Sequence, residues 1–148
     1  MSANRVPIFT KNGTRGSVLV TAANTSSQGG GTVATDIFLC FTAGAEGAYV
    51  DYVRFIATAT TPTNTTATVG RVFRSSVAAG ATTSANTFLV GEITLPIVAA
   101  DNATAAVNVF DVPLGIALAA NETILVTTHA APAANTAWRA VAMGTGDY

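Results

Sequence analysis

Ala48-Tyr49-Val50-Asp51-Tyr52-Val53-Arg54-Phe55-Ile56-Ala57-Thr58, entered from the turn cluster Gly44-Ala45-Glu46-Gly47, decides how this chain is read. The run is β-branched and aromatic, it is preceded by glycines, and no apolar spacing of three and four residues runs through it, so it reads as a strand. Strict alternation puts Tyr49, Asp51, Val53, Phe55 and Ala57 on one face and Val50, Tyr52, Arg54 and Ile56 on the other. Both faces carry large apolar groups. A sheet with one wet face alternates apolar and polar residues, so this strand predicts a sheet covered twice, once by the core and once by a neighbour.

Working outward, seven more runs of the same kind follow, each bounded by turn residues: 17–22, 33–42, 66–75, 87–95, 105–112, 122–129 and 136–143. Ser26-Ser27-Gln28-Gly29-Gly30-Gly31, Pro62-Thr63-Asn64 and Ala119-Ala120-Asn121-Glu122 supply the punctuation, by positive φ and by side-chain bonding to the backbone. In the run 33–42, Val33, Thr35, Ile37, Leu39 and Phe41 share a face, with Phe38 and Cys40 opposite. Helical periodicity is absent, because Gly, Thr, Asn or Pro breaks every alanine-rich piece. The expectation is an all-β chain: an eight-stranded antiparallel sandwich of jelly-roll type, with an immunoglobulin-like sandwich as the alternative. Pro113-Leu114-Gly115-Ile116-Ala117-Leu118 fits an extended edge or corner segment. A chain of 148 residues suits one domain. Residues 15–148 are expected to form that domain, and 1–14, with Pro7, Gly13 and isolated Val6, Ile8 and Phe9, an extended N-terminal arm, either a free terminus or one that docks Ile8 and Phe9 onto an adjacent subunit.

Composition narrows the function. Charged residues make up 10% of the chain and the mean hydropathy is +0.45, against about a quarter charged in an ordinary domain. The surface is therefore rich in threonine, methyl groups and glycine backbone, as if built to be covered by protein. Seven scattered basic residues against eight acidic ones give a net charge of −1, which lacks the clustered Lys and Arg that nucleic-acid phosphates require. Cys40 is the only cysteine, so it forms no intramolecular disulfide and fits a buried, inert thiol. The N-terminus has no apolar signal stretch and no run is long and apolar enough to span a membrane as a helix, which points to synthesis in a cytoplasm.

Catalytic chemistry finds few footholds. His129 is the only histidine, and any Ser-His or Cys-His arrangement would need it, yet no nucleophile elbow or local signature accompanies it. Asp36, Asp51, Asp101, Asp111 and Asp147 are spread singly, without an EF-hand loop or a histidine pair. Gly29-Gly30-Gly31 lacks the Gly-Lys-Ser/Thr of a phosphate loop. Tyr49, Tyr52, Trp138 and Tyr148 fit a glycan platform, although core or interface use is the commoner fate of such aromatics. No enzyme activity, cofactor, metal or small-molecule substrate is expected. Ile8, Phe9, Lys11, Phe38, Tyr49, Tyr52, Arg54 and Trp138 are the candidate interface residues.

Several segments carry a resemblance: Pro7-Ile8-Phe9-Thr10, Val18-Leu19-Val20-Thr21-Ala22-Ala23-Asn24-Thr25, the Gly31-Thr32 turn, Phe41 through Gly47 leading into Val50 through Thr58, Val69-Gly70-Arg71-Val72-Phe73, Leu118-Ala119-Ala120-Asn121-Glu122 and Gly144-Thr145-Gly146-Asp147-Tyr148. Across most of its length the chain resembles small all-β virion proteins of tailed bacteriophages, of the head decoration or cement kind. That resemblance implies a protein on the outer surface of the head, bound to the major capsid protein and to itself as a trimer or dimer, with no direct contact to nucleic acid or membrane. A tail, collar or vertex module that recognises host glycan is the alternative. A small hydrolase on a jelly-roll scaffold is the third reading.

Overall fold

The computed structural model describes residues 12–100 and 108–147. Among these every regular element is a strand: β1 Asn12–Gly13, β2 Gly16–Val20, β3 Gly31–Thr32, β4 Phe38–Thr42, β5 Ala48–Ala59, β6 Thr63–Asn64, β7 Thr68–Ser75, β8 Ala81–Thr82, β9 Thr87–Leu95, β10 Ala99–Ala100, β11 Val109–Leu118, β12 Thr123–Thr128, β13 Thr136–Met143 and β14 Gly146–Asp147. The expected all-β class holds, and all the strand pairings are antiparallel. No helix is present among the described residues to cross a membrane.

Two sheets carry the fold. In the first, the order is β2-β13-β5-β11, with β1 and β14 continuing β2 and β13 past the bends at residues 14–15 and 144–145. In the second it is β4-β12-β7-β9. Their facing sides bury Val20, Val50, Val53, Phe55 and Trp138 from the first sheet, with Val72, Ile124 and Val126 from the second. Both open sides of the sandwich are pinched shut by glycine. A Cβ at Gly16 on β2 would collide with the Cys40 carbonyl of β4, and one at Gly91 on β9 would lie 2.6 Å from Val112 Cγ1 on β11. These two positions let edge strands of opposite sheets approach.

The opposite faces of the two sheets differ. On the second sheet the segment between β2 and β4 folds back and packs Val33 and Ile37 onto Leu39, Phe73 and Leu125. For this reason β12 is buried on both sides along its whole length. Its threonines are accommodated where partners exist: the Thr123 hydroxyl donates to the Ser75 or Val77 carbonyl, at 3.2 and 2.9 Å. Two-residue β3 and β8 pair over the same side. The second cover anticipated for doubly apolar strands is thus, for this sheet, supplied by the chain itself.

Three runs sit differently from their expected places. The run 33–42 becomes a strand only at Phe38, because Val33 to Ile37 form a turn. The Thr32 carbonyl accepts N–H bonds from Thr35 and Asp36, Asp36 Oδ1 accepts from Thr32 N at 2.6 Å, and Ala34 adopts φ 68°. Within β4 the register to β12 slips between Leu39 and Phe41, so Phe41 joins Phe38 and Cys40 in the main core instead of facing away with Leu39. In β5 an irregularity at Asp51–Tyr52 leaves both outward between the fully buried Val50 and Val53; strict alternation had set those two valines on opposite faces. The expected run 105–112 is the strand Val109–Leu118, which keeps Pro113 because β11 is an edge paired only to β5. Pro113 needs no donor on its open side, and Gly115, with φ 60°, accompanies a register shift between Pro113 and Ile116.

Candidate interaction surface

The outward face of β2-β13-β5-β11 has no such cover; among the described residues no strand packs over it. Cross-strand register and alternation place its residues in rows. Val109, Ile56, Arg139 and Leu19 form one, and Asp111, Arg54, Val141 and Ser17 the next. Pro113, Tyr52 and Met143 form a third, with Ala117 and Tyr49 beyond. Leu19 and Val109 are 39% and 45% exposed, which is unusual for large aliphatic strand residues and marks the face as open. Two shallow depressions indent it. One of about 630 Å³ lies over Arg15, Ser17, Arg139, Val141 and Met143, and one of about 410 Å³ lies over Leu19, Thr58, Asn135 and Ala137.

Charge on this face is sparse and structured. Arg54 Nε and Nη2 donate to Asp111 Oδ1 and Oδ2 at 2.7 and 2.8 Å, a fork-to-fork pair across β5 and β11. Those bonds hold the Asp111 carboxyl below its ordinary range and push the guanidinium further up. The same guanidinium lies 5.5 Å from the Tyr52 ring centroid, a cation–π contact. Arg139, half-buried between Ile56 and Leu19, has no partner among the described residues, and neither does exposed Asp51. Gly144, at φ 63°, abuts Asp51 so closely that a Cβ there would lie 2.5 Å from the Asp51 Cβ.

On the other sheet the charges pair within the chain, and the exposed apolar side chains, Phe88 and Leu89, lie on edge strand β9. Arg74 reaches both Glu122 oxygens at 2.8 and 2.9 Å, and Arg71 meets Glu92 at 3.4 Å. Arg71 also donates to the Thr25 carbonyl at 3.3 Å and faces His129 Nδ1 at 3.4 Å. His129 thus sits in an arginine-carbonyl setting. Cys40 is buried in the main core, where loss of hydration pushes its thiol up to about 12, against a smaller lowering by a backbone bond to Ala142. No group of three or more His, Cys, Asp or Glu side chains gathers among the described residues.

The candidate interface residues divide accordingly. Tyr49, Tyr52 and Arg54 share the open face. Phe38 and Trp138 do not reach any surface: they are 6% and 1% exposed, because β4 and β13 turn them into the core, where Trp138 meets Phe110 edge-on at 5.7 Å. They are corrected to core residues of this chain. Ile8, Phe9 and Lys11 lie outside the described residues. Sequence reading missed Leu19, Ile56, Val109, Arg139, Val141 and Met143; each is a single residue in an ordinary alternating strand, and only cross-strand pairing gathers them. Comparison with known proteins finds no matching family model, no matching curated protein and no matching solved structure.

Proposed function

We propose that this chain is a non-enzymatic structural protein of a bacteriophage virion, a decoration or cement protein that binds the outer surface of the head and bridges major capsid protein subunits. The observation that carries the assembly part of this reading is the contrast between the two sheets: one outer face closed over β4 and β12 by the chain's own segment, with Phe88 and Leu89 exposed only at its edge strand β9, the other open across all four strands and largely apolar. The open face spans four strands, about 19 Å, by roughly ten residues, about 33 Å, hence about 600 Å². A standard interface takes about 800 Å² from each partner. Apolar burial at about 25 cal/mol per Å², less the cost of association, makes each contact modest, and repetition over a shell makes the sum large.

The fold is proposed to be a jelly roll. Counting only the strands of five residues or more, the first sheet runs first, eighth, third, sixth and the second runs second, seventh, fourth, fifth. Two four-stranded sheets that exchange strands in this way support that topology, which serves viral capsid and lectin domains among others. The virion placement itself rests on the resemblance of the turn and strand motifs described above. Quantitative densitometry of purified particles, with a cryo-EM map, tests it. Many copies spread over the head are expected, whereas a few copies at the tail or a vertex would overturn head decoration in favour of adsorption or joining.

A further inference from the structure

We infer that this protein pairs with a second copy of itself through the open face of β2-β13-β5-β11, in a two-fold contact that sets Arg139 of each copy against Asp51 of the other.

The first ground is charge. Among the described residues the face holds one half-buried cation without a partner, Arg139, and one carboxylate without a partner, Asp51, while Arg54–Asp111 beside them is already paired, as are Arg71–Glu92 and Arg74–Glu122 on the other sheet. A half-buried guanidinium on an apolar sheet is costly to cover without a carboxylate. Residues 1–11 contain no acid to pair with Arg139. A second copy brings one carboxylate for each arginine.

The second ground is register. Val141 pairs with Arg54, Arg139 with Ile56 and Met143 with Tyr52. A two-fold axis lying in the contact and crossing the strands at Val141 carries Arg139, two residues to one side, over Met143, two residues to the other. Asp51 stands beside that point, one strand away, about 5 Å, which an arginine side chain spans. Val141 then meets its own copy on the axis, and Arg54 arrives there already neutralised by Asp111. Gly144 fits the same picture, since only a residue without a Cβ leaves Asp51 its position. Exposed Arg15 lies at the rim of this contact and is free to stay solvated.

The inference concerns the same open face that the capsid reading uses, and its test uses the full chain without particles so that the two can fail separately. Light scattering and sedimentation over a concentration series should show a dimer. Arg139→Asp and Asp51→Arg should each weaken dimerisation by about tenfold or more, since each sets like charges together. Combining them should restore much of the loss, and Val141→Asp should abolish the dimer without involving either charge. Asp51→Asn, which keeps shape, should weaken it in the same direction by less, and Trp138 emission checks that each variant is folded. A monomeric wild type overturns the inference, as does a dimer indifferent to Val141→Asp, or a double reversal as weak as the sum of its parts. A monomer that still binds a shell through this face would overturn the pairing and leave the proposed function intact.

Discussion

Trp138 shows how a residue suited to recognition becomes structural. Its ring is buried against Phe110, and its indole N–H finds no hydrogen-bond partner among the described residues. Truncation to Ala removes the largest side chain of the core and should cost about 3–5 kcal/mol. Trp138→Phe leaves a smaller void and also removes the unpaired donor, two effects of opposite sign, so it should cost less than about 2 kcal/mol; urea unfolding followed by circular dichroism measures both. Cys40 makes a second case. Its thiol, raised from an ordinary 9.0 to about 12 by burial, should resist alkylation at pH 8 in the folded protein and react once it is unfolded. The sign of the linkage follows: the folded state keeps the proton while the unfolded chain releases it, so this contribution is complete below pH 9 and is lost as pH rises towards 12. Equal alkylation rates with and without denaturant would remove the buried assignment.

At the scale of elements, turns decide register. Ala34 holds φ 68° inside the turn that delays β4, a conformation costing an L-residue about 1–2 kcal/mol. Ala34→Gly relieves that cost while loosening the unfolded chain by about 0.4–1 kcal/mol, and a net gain of roughly 0.5 kcal/mol in unfolding free energy is expected. A loss would mean that the alanine methyl packs favourably. Glu122 closes the turn before β12, accepting from Ala119 N at 2.7 Å and from Arg74 on β7. Burial acts to raise its carboxyl, but the Arg74 bonds and the Ala119 N–H outweigh burial and hold it below the ordinary 4.5. A depressed carboxyl stabilises above its unfolded value and loses that contribution as pH falls. Glu122→Gln should therefore lower stability by about 1 kcal/mol near neutrality, and the gap to wild type should close as pH drops below 4.5 towards the depressed value. A gap constant with pH would assign the loss to packing.

For the molecule as a whole, connectivity separates partners widely in sequence: β2 pairs with β13, and β4 with β12. Such long loops must close before their contacts stabilise anything, so refolding is expected in milliseconds to seconds, read by stopped-flow emission from Trp138. Microsecond refolding would contradict a fold built on distant pairings. The same wide pairing produces the open face, since Leu19, Ile56, Val109 and Val141 come from four strands.

What the residues determined alone is local. β-Branched runs punctuated by Gly, Pro and Asn fixed an all-β chain, and they located most strands to within a few residues, because strand propensity and turn chemistry act over two to ten positions. The tertiary structure decided which side of each strand faces inward, since a single irregularity, as at Asp51–Tyr52 or at Cys40, reverses every side chain beyond it. It also decided that Phe38 and Trp138 are core, that one sheet is closed by the turn at Val33 to Ile37, and that Arg139 and Asp51 share a face. Those facts depend on pairing between distant segments, which no local pattern encodes.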